Sequence, residues 1–238
     1  MPPAKGSARS ALLDDPARAA VARAAVERVE PGMTLGLGSG RALWAALDVL
    51  GQRPWRRELR VATASSTTEE RARALGLQIV QLDGTVRLDL VIDGADEVDG
   101  ELNLLKGHGA ALLREKLIVV NARRFVVIAE ASKLVEHLGE QQTLPIEVVR
   151  FAWPDTRDRL LDLFNEVTLR VDDRSPRITD EGHYLLHATM PSDPDLPALA
   201  TAVACTVGVV EHGLFLGMAD EVLLGSPDGR VDVRQRQS

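Results

Sequence analysis

The sequence predicts an α/β fold: a mostly parallel sheet covered by helices on both faces, with a smaller α+β lobe, ferredoxin-like in character. Three observations carry this. Short apolar runs alternate with segments of helical period through the first 143 residues, and several of those runs are apolar without interruption, as strands buried on both faces are. From about Leu144 the texture changes to an α-β-β-α-β order. The 238 residues are 45% apolar, which suffices for a real core and excludes fibrous and wholly disordered classes.

Asp15-Pro16 reads as an N-cap followed by Pro at the first helical position, and Ala20, Val21, Ala24 and Ala25 keep helical spacing up to Pro31-Gly32, predicting a helix over 16–30. The apolar run Met33–Leu37, the glycines of GLGSG, and Leu43, Trp44, Leu47 and Leu50 before Gly51 make a strand, a glycine-rich turn and a helix. LRVAT then reads as a strand, and SSTTEERARALG as a helix opened by two overlapping capping boxes, Ser66 with Glu69 and Thr67 with Glu70. LQIVQL and LDLVID read as strands, DGADEVDG as an acidic loop, 109–121 as a helix and RFVVIAE as a strand. In the second part a helix is expected near 155–167, then strands VTLRV and HYLLHAT around a Pro-containing turn, and a further helix and strand. The tail RVDVRQRQS reads as frayed.

The formal charge of −7 and only eight aromatic residues argue against nucleic acid and anionic membranes as partners. There is no apolar stretch of signal-peptide or membrane-spanning type, and the single Cys205, in the apolar run AVACTVGVV, reads as a plain buried thiol; both fit a cytoplasmic chain. Of 28 basic residues only four are lysines: Lys5, Lys106, Lys116 and Lys133.

Gly36, Gly38 and Gly40 lie where a strand hands over to a helix, a place suited to phosphate because backbone N–H groups and the helix terminus face it. The spacing GxGxG is neither the dinucleotide fingerprint GxGxxG nor a P-loop, so a dinucleotide site and a purely structural turn stand as alternatives. In DLVIDGADEVDGELNLLKGHGAALLREK, Asp93 closes an apolar strand and Gly94 permits a sharp turn, so that Asp93 and Asp96 are expected to face the crevice at the carboxyl edge of the sheet. Lys106, with Gly107 and Gly109 beside it, brings an ammonium to them, and Glu115 follows on the next helix. The spacing is not that of an EF-hand, and His183 and His187 in HYLLH lack the Glu of a zinc motif. Carboxylates, an ammonium and an anion site suit proton transfer beside the carbonyl of a phosphorylated metabolite, a Glu serving as base and a Lys holding the oxyanion.

At these residues the sequence resembles the ribose-5-phosphate isomerase type A family. The segment DGADEVDGELNLLKGHGAALLREK carries the resemblance, supported by GLGSG, SSTTEE, ASK at 131–133, LPIEV, VVEHGLF and GSPDG. The resemblance implies a Rossmann-like catalytic domain of residues 1–143 plus 213–238, with the α+β lobe at 144–212. It implies interconversion of ribose 5-phosphate and ribulose 5-phosphate through a cis-enediolate in the non-oxidative pentose phosphate pathway, with no metal or organic cofactor, by a homodimer or tetramer. Glu115 is then the base, assisted by Asp93, Asp96 and Lys106. Ser39, Gly40, Arg41, Ala42, Gly94, Ala95, Gly107, His108, Gly109 and Lys133 line the substrate. The chain departs from the family's GTGST at Gly38-Ser39-Gly40-Arg41-Ala42, where Arg41 either clamps the phosphate or points to solvent, and carries His108 where the family has a glycine. Two rival classes remain: a sugar-phosphate sensor on the same fold, which would bind without turnover, and a nicotinamide-dependent dehydrogenase, which the glycine spacing disfavours.

Overall fold

The computed structural model describes residues 11–236. Lys5 and the last two residues of the tail lie outside them. Helix α1 (Pro16–Val26) begins as expected at Asp15, whose carboxylate accepts the Arg18 N–H, but ends four residues early. Then come β1 (Thr34–Leu37), α2 (Arg41–Leu50), β2 (Arg60–Thr63), α3 (Ser66–Ala74), β3 (Gln78–Ile79) and β4 (Leu90–Gly94). The cap of α3 is Ser65, accepting from Thr68 N–H, rather than either expected capping box; the chain enters the helix one residue sooner. A short strand β5 (Glu97–Val98) forms within the expected acidic loop and another, β6 (Leu104–Leu105), just after it, followed by α4 (Leu112–Val120) and β7 (Phe125–Glu130).

The second part comprises β8 (Leu144–Val148), α5 (Trp153–Leu160), β9 (Glu166–Leu169), the small ribbon β10 (Val171–Asp172) and β11 (Ser175–Pro176), β12 (Tyr184–Thr189), α6 (Leu196–Ala204) and β13 (Val209–His212). Strands β14 (Leu214–Phe215), β15 (Glu221–Gly225) and β16 (Val231–Gln235) close the chain. Strand β8 was hidden by Pro145, which argues against a central strand in sequence. With it, the lobe reads β-α-β-β-α-β around an antiparallel sheet of order β13-β8-β12-β9.

Three expectations are corrected. The helix near 155–167 stops at Leu160, and Leu163 and Phe164, which keep helical spacing, sit instead in a turn closed onto the Leu160 carbonyl. The tail is not frayed over 231–235: it pairs antiparallel with β15 as the edge of the large sheet, its charges protecting that edge. Cys205 is exposed, because α6 turns Leu199 and Val203 inward and Cys205, two positions beyond, falls on the solvent side.

The large sheet has the order β16-β15-β7-β4-β1-β2-β3, parallel throughout except β16. Its inner strands are apolar on both faces, and the period of two divides them. Leu35, Leu90, Ile92, Val126, Ile128 and Leu223 pack with α1 and α2. Val91, Phe125, Val127, Ala129, Val222 and Leu224 pack on the other face with Ile118 and Val119 of α4. From β1 the chain progresses outward to β2 and β3, whereas β4, β7 and β15 lie on the opposite side, so the strand order reverses between β1 and β4. At such a reversal the loops leaving the carboxyl ends of adjacent strands diverge and open a crevice. Among the described residues no helix is long and apolar enough to cross a membrane.

Candidate active site

The two loops that part at this reversal are GLGSG, after β1, and DGADE, after β4. Their junction is made by Asp93. It is 1% exposed, accepts N–H bonds at Oδ1 from Ser39 (3.0 Å) and Gly94 (2.7 Å), and accepts the Lys106 ammonium at Oδ2 (2.8 Å). A Cβ on Gly38 would stand 1.8 Å from this carboxyl group, so the close approach of the two loops requires glycine there. Gly40 is required for another reason: its φ of +94° turns the chain into α2. No side chain caps that helix, leaving the N–H groups of its first turn and its positive dipole end for an anion.

A crevice of about 320 Å³ lies between these loops. Ser39, Gly40, Arg41 and Ala42 form one wall; Gly94, Ala95, Asp96, Gly107, His108 and Gly109 form another; Lys106, Glu115 and Lys133 also contribute to its lining. Thus all the residues expected at the site come together around it except Asp93. That carboxylate was expected to face the crevice beside Asp96, but it stands behind Lys106, fully engaged. Arg41 is exposed at the crevice and takes no carboxylate partner among the described residues.

Lys106 is 3% exposed; its ammonium donates to Asp93 and to the Gly94 carbonyl (2.6 Å) and lies 3.1 Å from Glu115 Oε2. Burial alone would lower its pKa, but the charges of Asp93, Glu115 and Asp96 hold it above the ordinary lysine value, so it stays a cation. Glu115, in the first turn of α4, is 5% exposed. That ion pair with Lys106 is the contact its buried Oε2 makes, and no second donor reaches this oxygen. Burial, then the Asp93 charge, push this carboxyl up from its ordinary 4.5 to about 8, against the opposing pull of Lys106. A carboxylate held in this way is a strong base.

Asp96 accepts the His108 N–H at 3.1 Å. His108 turns its ring away from an anion-binding role: Nε2 donates to the Thr143 carbonyl (3.0 Å), and the ring meets His187 of β12 edge to face at 4.8 Å between centroids. Burial lowers the His187 pKa to about 4, so it is neutral near pH 7. Lys133 donates to the Ala95 carbonyl at 2.6 Å and lies 3.6 Å from Glu130.

Two lining residues were missed. Glu130 closes β7 as Asp93 ends β4, the same signal of a carboxylate after an apolar run, and binds Arg18 at 3.0 Å. Trp44 joins the wall while its indole N–H donates to Thr68 (3.2 Å); nothing in its helical spacing distinguished it from a core residue. A second cavity of about 300 Å³ lies by β2 and β3, but its charged groups are already paired, Arg114 with Asp180 and Glu181, and Glu69 with Arg73. Among the described residues no three His, Cys, Asp or Glu side chains are grouped to hold a metal ion.

The family model for ribose 5-phosphate isomerase A (phosphoriboisomerase A) matches residues 60–229. The ribose-5-phosphate isomerase A of Synechococcus sp. (strain JA-3-3Ab) is 44% identical over 225 residues, spanning 93% of this chain and 98% of that one. The ribose 5-phosphate isomerase from Plasmodium falciparum superposes with a TM-score of 0.89 at 31% identity, over 94% of this chain and 100% of that one. A D-ribose-5-phosphate isomerase solved in complex with phospho-erythronic acid superposes with a TM-score of 0.87 at 33% identity, over 94% and 99%.

Proposed function

The chain belongs to the ribose 5-phosphate isomerase A family and interconverts ribose 5-phosphate and ribulose 5-phosphate, and on that premise we propose how the crevice performs the reaction. The observation that carries the reading is the buried Glu115 carboxylate at the crevice, its Oε2 met by the Lys106 ammonium alone at 3.1 Å. In the open-chain aldose, Glu115 removes the proton from C2. The C2–H electron pair becomes the C1=C2 bond, and the carbonyl electrons pass to the oxygen on C1, where Lys106 meets the developing negative charge in a site largely closed to water. Glu115 then returns the proton to C1, while the hydroxyl proton on O2 moves to O1, leaving the ketone at C2. Substrate and product have the same atoms, so no external oxidant or reductant takes part.

Asp96, half-buried and held by the loop at His108, accepts sugar hydroxyl protons during ring opening and binding. The phosphate takes the open end of the crevice, where the uncapped turn of α2 and Arg41 supply donors and the Ser39 hydroxyl can join them by leaving Ser65, which it bonds at 3.1 Å; a guanidinium there can clamp two oxygens at once. Lys133 contributes a further cation. Asp93 acts through others, as a positioning residue that ties the phosphate loop to Lys106. The bound phospho-erythronic acid of the related enzyme, which joins a phosphate to a carboxylate, fits such a site, the carboxylate matching the charge of an enediolate.

The catalytic unit on this reading is 1–143 with 213–238, and 144–212 is the lobe that buttresses the crevice through His187 and Arg170, the latter donating to the His108 carbonyl. Family membership supports a homodimer working in the cytoplasm.

The test is conversion of ribose 5-phosphate by the purified protein in EDTA. Glu115→Gln is expected to lower kcat by about 10²–10⁴-fold. For the wild type, kcat/KM should rise with pH as Glu115 ionises, with the acid limb well above the ordinary carboxylate range. Near-wild-type turnover by Glu115→Gln, or activity abolished by EDTA, would falsify the mechanism.

A further inference from the structure

Lys116 follows Glu115 on α4 and is 11% exposed along its side chain, yet the reaction as derived gives it no task. All three of its N–H donors are used: on Glu211 Oε1 at 2.7 Å, the His212 carbonyl at 2.8 Å and the Leu214 carbonyl at 3.0 Å. These acceptors all belong to the four residues that lead from the small sheet back towards the large one. The carbonyl between the two it grips, that of Gly213, accepts the Lys106 backbone N–H at 2.9 Å, and the Gly213 N–H donates to Pro145. The contact is close enough that a Cβ on Gly213 would stand 2.1 Å from the Lys106 carbonyl oxygen. Leu214 pairs with Leu105 in register, extending the same tie, and the fully buried Phe215 ring lies 4.8 Å from the Lys116 ammonium and 5.5 Å from that of Lys106.

Residues 212–214 are therefore a spacer gripped by α4 through Lys116 and, just past β6, by the Lys106 backbone. One attachment lies beside the base and the other is the backbone of the residue that carries the ammonium. We infer that Lys116 is a positioning residue for the isomerisation, setting the Lys106 ammonium against the Glu115 carboxylate by fixing the 212–214 segment between them. This inference rests on the roles proposed above for Lys106 and Glu115. It also explains why a chain that otherwise favours arginine keeps lysine here. Three converging acceptors suit a compact pyramidal ammonium, whereas a planar guanidinium is larger and presents its donors in a fork. Burial lowers the Lys116 pKa and Glu211 opposes that effect.

The experiment compares Lys116→Met and Lys116→Arg with wild type in kcat, KM and the acid limb of kcat/KM, with Glu115→Gln alongside. The groups that act on Glu115 are Asp93 from β4, Asp96 from the following loop and Lys106 from the end of β6. Releasing the spacer weakens the downward pull of Lys106, so the acid limb should move to higher pH in both Lys116 variants, by about half a unit or more. Lys116→Met should lose about tenfold or more in kcat with KM within about twofold of wild type. Lys116→Arg, which keeps the charge and decides the matter if the methionine variant fails to fold, should still lose about threefold in kcat. A lower melting temperature with kcat and acid limb unchanged overturns the inference, since Lys116 would then be merely structural; full restoration by arginine overturns it too, since charge alone would suffice. An active Glu115→Gln locates the failure in the underlying reading instead, whereas an inactive Glu115→Gln beside unaltered Lys116 variants locates it here.

Discussion

Gly38→Ala should damage the protein although the backbone at that position permits alanine. Gly38 is not among the residues of positive φ, so by chain entropy alone the substitution would stabilise by about 0.4–1 kcal/mol. The opposite sign is expected because the new Cβ falls 1.8 Å from the Asp93 carboxyl carbon and from Oδ1, where real contacts essentially never come closer than 3.0 Å. The carboxylate has to retreat by more than an ångström, and it sits in a parallel strand flanked by β1 and β7, with nowhere to go. Its bonds from Ser39, Gly94 and Lys106 are lost or stretched together. Overpacking costs about 1–3 kcal/mol, and disturbing a buried ion pair about 3–5 kcal/mol. Partial relaxation sets the net loss at about 3–5 kcal/mol, with kcat falling at least tenfold, roughly, as Lys106 loses its anchor. Urea unfolding and steady-state turnover read both effects. A variant destabilised by less than about 1 kcal/mol with unaltered kcat would show that Asp93 is not held as described.

Two further outcomes are expected. Arg41→Ala should raise KM for ribose 5-phosphate by about ten- to a hundredfold, the worth of a charge-assisted hydrogen-bond pair, with less effect on kcat; an unchanged KM would mean that this guanidinium faces solvent. Glu221 is buried, which alone would raise its pKa, but hydrogen bonds and charge from Arg28, with further help from Arg124, hold it below its ordinary 4.5. A depressed carboxylate pKa stabilises the fold above the unfolded value, and that contribution disappears as pH falls through the folded value. Glu221→Gln should therefore melt lower than wild type at pH 7 and converge with it in acid; a gap independent of pH between 7 and 3 would refute the linkage.

Where the chain reports on its immediate neighbours, the sequence was legible. Asp15-Pro16 as a helix start, the strand-glycine-helix passage through GLGSG, and Asp93 at the end of an apolar strand depend on turns, caps and periodicity, all set within a few residues. The inventory of the crevice was legible too, because the glycine-rich loops that carry Ser39, Arg41, Asp96 and Lys106 lie in two short stretches, and the family signature marks one of them. Beyond that reach local signals misled. No strand was read at 144–148, which holds Pro145 yet forms β8, and an edge ladder ordered a tail that read as frayed. The apolar run around Cys205 could not say which side of α6 would face water.

The sequence by itself determined the alternation of strands and helices, the loops that meet at the reversal of strand order, and the few lysines worth following. Only the tertiary structure decided which groups touch. It placed Asp93 behind Lys106 rather than in the crevice, buried Glu115 Oε2 against the Lys106 ammonium alone, and closed the three donors of Lys116 on residues 95 to 98 positions away. The reason is physical: periodicity and capping arise from covalent neighbours, whereas burial and charge pairing arise from surfaces that meet only when the sheets close, and these set the pKa values and distances on which the proposed proton transfer depends.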